Sequence, residues 1–377
     1  MTAMMSKPLP RYKRLVIKIG SAILIDPNSA ALRTAWLSAL AADVKTLMEA
    51  GTQIILVSSG AIALGRQRLG LIGRALTLAE KQACASAGQS RLTQAYEVAL
   101  GQHGLLSGQA LLTLNDTENR RRWLNAKNSL ETLLSLGAIP IINENDTVAT
   151  DEIRYGDNDR LAARTAQMLG ADGLILLSDI DGLYSADPRE NNDAKHIPIV
   201  EALTDKIMAM GAGANNSAGV GSGGMATKLL AAQIATQAGC EMIICDGREN
   251  GAISALGKGA KHTRFLAEQN PKKARAQWIA SALKPAGSLT IDAGAQSALT
   301  QGKSLLAAGV TEVSGSFGKG DAVSITNQDG QEIARGLAAY DSHETLQILG
   351  AKSSDITEIL GYDNGANLIH RDNLAML

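Results

Sequence analysis

The chain has 377 residues, 45% of them hydrophobic, which is enough to bury a full core and by length suggests two domains. Lysine and arginine number 36 against 37 aspartates and glutamates, so there is no global charge bias toward nucleic acid or a membrane surface, and any such binding must be local. Cys84, Cys240 and Cys245 have no metal-ligand spacing, and the start MTAMMSKPLPRYKR is broken by prolines and bases before any apolar run of signal-peptide length; both point to a soluble, cytoplasmic protein with reduced thiols and no membrane partner.

Taken in chain order, the run RLVIKIGS predicts a first strand, with Lys18 inside it and Gly20 and Ser21 just beyond. The segment RTAWLSALAADVKTLMEAG has helical spacing, and TQIILVSSG is a second strand that ends on Ser59 and Gly60. The runs GLLSGQALLT and GAIPIINEND follow as strands, the latter opening a polar connection that holds Asn143, Glu144 and Asp146. A second polar connection, with Asp157, Asn158 and Asp159, leads into the helix DNDRLAARTAQMLGA, whose N-cap and terminal glycine mark its ends. ADGLILLSD is a strand ending on Ser178 and Asp179, TKLLAAQIATQAG is helical, and EMIICDG is a strand. Strand and helix in alternation give an α/β fold, a largely parallel sheet sandwiched by helices, whose ligands lie beyond the carboxyl ends of the strands. After about residue 265 the pattern changes. A charged, proline-bounded helix over NPKKARAQWIASALKPAG leads to short alternating pieces with frequent turn signals, a small and mainly β domain. The expected boundaries are 1–268 for the first domain and 280–377 for the second.

Two lysines stand out chemically. Lys18 within an apolar strand is costly unless it is paired or aimed at a ligand. Lys228 falls in the first turn of a helix, where the dipole disfavours a cation, behind the glycine-rich stretch GVGSGGMATK. That stretch has the spacing Gly219-x-Gly221-x-x-Gly224, but no strand precedes it, so it is no dinucleotide fingerprint; nor does it fit a phosphate loop of the GxxxxGK[ST] type. The near miss SALTQGKS, with Ser297 where a glycine should stand, reads as chance. A mobile glycine segment ahead of a helix N-terminus offers N–H groups to an anion, although a solvated surface loop would account for the glycines as well.

In this order and at these separations, VIKIGS, VSSGAIALG, PIINENDTVA, GDNDRLAA, LSDIDGLYSADP and GSGGMATKLLAA resemble the amino acid kinase family, in its glutamate-phosphorylating branch, over residues 14 to about 268. The second domain resembles the PUA domain that many such kinases carry. The resemblance implies transfer of a phosphoryl group from ATP to the side-chain carboxylate of L-glutamate, the first step of proline biosynthesis, with Mg²⁺ held mainly through the ATP phosphates and no protein ligand assigned to it. It implies that Lys18 and Lys228 contact the transferring group and that Asp159 orients them. Ser59, Gly60, Asp146 and Asn158 match glutamate-binding positions. Ser178, Asp179, Ser222, Gly223, Gly224, Met225, Ala226, Thr227 and Lys228, with Lys18, match nucleotide-binding positions; relatives often carry threonine where Ser178 keeps the hydroxyl. A homo-oligomer, dimer or tetramer, with feedback inhibition by proline, is implied as well. Members acting on aspartate, acetylglutamate, carbamate or UMP are disfavoured by the GDND stretch and the PUA-like tail. RNA binding by that tail is the alternative from another class; the near-zero net charge and the 3% aromatic content disfavour it.

Overall fold

In the computed structural model, which describes residues 11–26, 29, 31–113, 116–117, 120–148, 158–211, 224–268, 285–362 and 365–377, the apolar runs before residue 269 build one eight-stranded sheet. Its strands are β1 (Arg14–Ile19), β2 (Gln53–Ser58), β3 (Ser107–Leu112), β4 (Ile139–Glu144), β5 (Gly173–Ser178), β8 (Ile199–Val200), β9 (Glu241–Asp246) and β10 (His262–Phe265); a separate ribbon pairs β6 (Leu183–Tyr184) with β7 (His196–Ile197). The order across the sheet is β3-β4-β2-β1-β5-β9-β10-β8. Pairing is parallel from β3 to β9, and β10 then runs antiparallel to β9. Strands β4 and β5 are buried along their whole length, as expected of strands in a parallel sheet with helices on both faces, and in β4 the burial extends to Asn143 and Glu144. The chain steps from β1 to one side for β2, β3 and β4 and to the other for β5 and β9, so the carboxyl end of β1 lies at the switch point of the sheet.

The helices are α1 (Ser21–Leu24), α2 (Thr34–Glu49), α3 (Ala61–Arg68), α4 (Leu78–Gly101), α5 (Arg120–Ser135), α6 (Asn158–Leu169), α7 (Asp205–Ala209), α8 (Met225–Gln237) and α9 (Ala252–Gly257). Helices α2 and α6 fall where the spacing predicts them, and α6 ends at Gly170 with φ of 60°, the left-handed conformation of a glycine C-cap. Helix α4 opens on a capping box: Thr77 Oγ1 accepts from Glu80 N, and Glu80 Oε2 accepts from Thr77 N. Among the described residues no helix is long and apolar enough to cross a membrane. Chain contacts divide the molecule into Met1–Thr117 with Ala126–Gln269, and Glu118–Asn125 with Asn270–Leu377.

The later part of the chain forms its own core. Strands β11 (Gly287–Ile291), β12 (Leu305–Leu306), β13 (Val310–Gly315), β14 (Ala322–Thr326), β15 (Glu332–Leu337), β16 (Asn367–Ile369) and β17 (Leu374–Met376) give a sheet ordered β13-β11-β14-β15-β17 and a β12-β16 pair. Leu289, Ile291, Val323, Ile325, Tyr340 and Ile369 fill its interior. Ser297 of the phosphate-loop near miss sits inside α10 (Ala293–Thr300), capped by Asp292, so that stretch is an ordinary helix. The helix expected over NPKKARAQWIASALKPAG lies, up to residue 284, outside the described residues.

Helices α3 and α4 touch backbone to backbone. A Cβ on Gly65 would stand 1.7 Å from the Cys84 carbonyl oxygen, and one on Gly88 would stand 1.9 Å from the Ala61 carbonyl oxygen. Neither neighbour is a side chain that can swing aside. Gly88→Ala is therefore expected to destabilise the protein by about 3 kcal/mol. Gly101→Ala, on the same helix with open space around it, should change stability by less than about 1 kcal/mol. Denaturant midpoints of the two variants check this, and equal midpoints would show that the helices can separate freely.

Candidate active site

The carboxyl end of β1 delivers Lys18 into the protein, where it is 8% exposed. Its Nζ lies 2.6 Å from Oδ1 of Asp159, the second residue of α6, which is 1% exposed. The other carboxylate oxygen, Oδ2, takes Lys228 Nζ at 3.3 Å from the first turn of α8, and Lys228 is 5% exposed. One buried carboxylate thus holds two ammonium groups, leaving the trio with a net positive charge. Burial alone would raise the Asp159 pKa, but the charges and hydrogen bonds of Lys18 and Lys228 outweigh it and hold the carboxyl well below the usual carboxylate range. Position helps: Asp159 in the first turn of α6 sits at the positive end of the helix dipole, whereas Lys228 in the first turn of α8 is placed against it. Helix α8 starts at Gly224 with no side-chain cap, and Thr227 Oγ1 lies 2.8 Å from the Gly224 carbonyl oxygen and 3.2 Å from Asp159 Oδ2. Gly20, at the start of α1, lies close by: a Cβ there would be 3.8 Å from Lys18 Nζ.

The residue before Asp159 faces a different set of partners. Asn158 Nδ2 lies 2.8 Å from the Ser58 carbonyl oxygen, 2.7 Å from Ser59 Oγ and 3.0 Å from Asn143 Oδ1. Gly60 caps α3 with φ of 108°, a conformation that a side chain would strain, and a Cβ there would press on Ile25 at 3.3 Å. The structure therefore brings Ser59, Gly60 and Asn158 together beside the Lys18–Asp159–Lys228 trio. Asp146, two residues past β4, is partly buried and makes no hydrogen bond or ion pair with other described residues; burial pushes its pKa up to about 6.

On the other side of β1, Ser178 ends β5 with its hydroxyl donating to Asp179 Oδ1 at 3.1 Å, and its carbonyl accepts from Gly247 N at 2.8 Å. Ser178 is buried and Asp179 exposed. Gly224, Met225, Ala226 and Thr227 form the start of α8 and are partly exposed. Ser222 and Gly223, like Asp157, Gly219 and Gly221, lie outside the described residues.

Two residues with no signal in the sequence hold this arrangement from behind, and both come from α4. Gln89 Oε1 accepts from Asn143 Nδ2 at 2.8 Å, and the Tyr96 hydroxyl meets Ser58 Oγ at 2.9 Å. They are seven residues apart, two helical turns, and so lie on one face of α4.

Comparison with known proteins finds two matched regions in the chain. The model of the amino acid kinase family matches residues 13–246, and that of the PUA domain matches residues 287–360. A glutamate 5-kinase of Caulobacter vibrioides is 55% identical over 364 residues, covering 97% of this chain and 96% of its own. One of Brucella anthropi is 54% identical over 372 residues, with 99% and 98% covered. Among solved structures, the UMP kinase of Ureaplasma parvum aligns with a TM-score of 0.46 and 16% identity, covering 67% of this chain and 98% of that one. The chain belongs to the amino acid kinase family and carries a PUA domain behind its kinase domain.

Proposed function

We propose that this protein is a glutamate 5-kinase, transferring the γ-phosphoryl group of ATP to the side-chain carboxylate of L-glutamate to give L-glutamyl 5-phosphate and ADP. The observation that carries the reading is the pair of buried ammonium groups on one carboxylate at the end of the central strand, in a chain that shares almost its whole length with glutamate 5-kinases.

The nucleophile needs no base. A glutamate side chain is protonated in only about one molecule in five hundred at pH 7, so a carboxylate oxygen attacks the γ-phosphorus directly while the bond to the β,γ-bridging oxygen breaks, and no proton moves. The obstacle is repulsion: two unit charges about 4 Å apart cost roughly 4 kcal/mol at an effective dielectric near 20, and the phosphoryl group bears more than one. Lys18 and Lys228 face this charge with one positive charge in excess of Asp159, and the uncapped start of α8 adds N–H groups. Asp159 fixes the spacing of the two ammonium groups, so their alignment is set before the substrates arrive. Mg²⁺ arriving with ATP would add its charge to that of the two lysines, and no described residues are grouped to hold it themselves. Ser178 and Asp179 flank the nucleotide.

On the glutamate side, Asn158 uses its N–H groups on protein acceptors, so the Ser59 hydroxyl, which accepts from Asn158, and the Gly60 turn at the start of α3 are the donors left for the α-carboxylate. Asp146 supplies a counter-charge for the ammonium. The direct test is hydroxylamine trapping of the acyl phosphate with ATP and L-glutamate, beside ADP release with aspartate, acetylglutamate and UMP. Hydroxamate from L-glutamate above all others is expected, and its absence would end the proposal.

Replacing Lys18 or Lys228 with alanine should lower kcat about a hundredfold to a thousandfold, the cost of one transition-state contact. Steady-state kinetics check this; a normal kcat with only a raised ATP KM would assign both lysines to binding alone.

Asp146→Ala should raise the glutamate KM about tenfold or more, with ATP KM little changed, because a charged group loses its partner. Since the Asp146 carboxyl takes up a proton near pH 6, the glutamate KM of the parent enzyme should climb as pH falls through that value. Stability runs the opposite way. A folded-state pKa of about 6 against an ordinary 3.8 means that the ionised carboxyl weakens the ligand-free fold fully above pH 6 and not at all below about 4. Asp146→Asn should therefore unfold at a higher temperature than the parent at pH 8, with the gap closing by pH 4. Thermal melts at both pH values decide the matter.

A further inference from the structure

The side-chain amides of Gln89, Asn143 and Asn158 form a chain whose polarity the backbone fixes at two points. The Ser58 carbonyl can only accept, and it lies 2.8 Å from Asn158, so the atom turned toward it is the amide nitrogen. The Glu144 N–H can only donate, and it lies 2.9 Å from Asn143, so the atom turned toward it is the amide oxygen. That oxygen also accepts from Asn158 Nδ2 at 3.0 Å, and Asn143 Nδ2 is left facing Gln89 Oε1 at 2.8 Å. Gln89 Nε2 points to Thr93 Oγ1 at 3.4 Å; the threonine hydroxyl donates to the Gln89 carbonyl at 3.0 Å and so can accept.

What remains at the end of the chain is Asn158 Oδ1, a buried carbonyl oxygen with no hydrogen-bond partner among the described residues. Asn158 itself is 5% exposed. A buried acceptor left unpaired is unfavourable, and it is a standing demand for a donor. Reversing Asn158 to satisfy that oxygen would turn it against the Ser58 carbonyl, so the demand is built in.

We propose that Gln89 is a positioning residue for the amino-acid substrate: acting through Asn143, it holds Asn158 so that Oδ1 is presented to a hydrogen-bond donor of the substrate. This rests on L-glutamate being that substrate, whose donor is its α-ammonium, bound between Asn158 Oδ1 and Asp146. Without an acceptor at position 89, Asn143 Nδ2 becomes a buried donor lacking one, and the side chain gains by turning away and taking Oδ1 from Asn158.

Two variants of the full chain separate orientation from space filling. Gln89→Met keeps length and helix propensity but cannot accept, whereas Gln89→Glu accepts the same N–H. Gln89→Met should raise the glutamate KM about tenfold, the effect of roughly one hydrogen bond to a charged group, with kcat and ATP KM within about twofold. Gln89→Glu should stay within about threefold of the parent. Glutarate, the same diacid without an ammonium, should compete with an inhibition constant that Gln89→Met leaves within about twofold. An unchanged glutamate KM in Gln89→Met overturns the proposal, and so does equal loss in both variants or equal weakening of glutarate. If circular dichroism shows Gln89→Met unfolded, Gln89→Ala takes its place under the same criteria. A parent enzyme that forms no hydroxamate from L-glutamate would sink the substrate reading itself; an active parent with an indifferent Gln89→Met sinks the positioning role alone.

Discussion

The pairing of Asp159 with both Lys18 and Lys228 is the interaction around which the first domain is arranged. Each partner comes from a different element, β1, α6 and α8, and all three are almost wholly withdrawn from water. Two charges moved into a protein interior are rarely a source of net stability, and a third adds a further desolvation cost. The sheet accommodates the trio because it places a strand end and two helix starts at one point, where the α6 dipole favours the carboxylate. A like-charged pair of ammonium groups could not be held so close without that carboxylate between them. The electrostatic strain is thus confined to the place where, in the proposed reaction, an anion in transit relieves it.

Helix α4 has the corresponding part on the proposed amino-acid side. It carries Gly88 against α3, Gln89 against Asn143 and Tyr96 against Ser58. Helix α3 begins at Gly60, so its distance from α4 sets where the Gly60 turn stands. The close approach at Gly65 and Gly88 and the hydrogen bonds that Gln89 and Tyr96 share with Asn143 and Ser58 are one device: a long capped helix brought near enough to steady the ends of β2 and β4 from behind.

Much of this is written locally in the chain. Apolar runs such as LILLS that stop on a polar residue mark buried strands of a parallel sheet, and the GDND stretch crowds more polar groups into a helix start than capping alone needs. Lys18 stands out because a lysine has no place in a buried strand without a partner. Gln89 and Tyr96 do not stand out, since their partners lie 54 and 38 residues away and a glutamine or tyrosine on a helix fits many surfaces. The antiparallel β10 is similarly hidden: its four residues, HTRF, include a histidine and an arginine, and its place follows from pairing with β9. The burial of Asp146 depends on what packs around it, which spacing along the chain does not encode.

Asn158 and Asp159 are consecutive residues of α6, and successive side chains on a helix point about 100° apart. In the reaction we propose, one serves the amino acid and the other the lysines that meet the nucleotide. A single helical turn is therefore common ground for both substrates, and a shift or rotation of that turn as a rigid unit cannot be felt by one pocket alone. On that reading a substrate that biases this turn changes the affinity for the other, and by reciprocity the factor is the same in both directions.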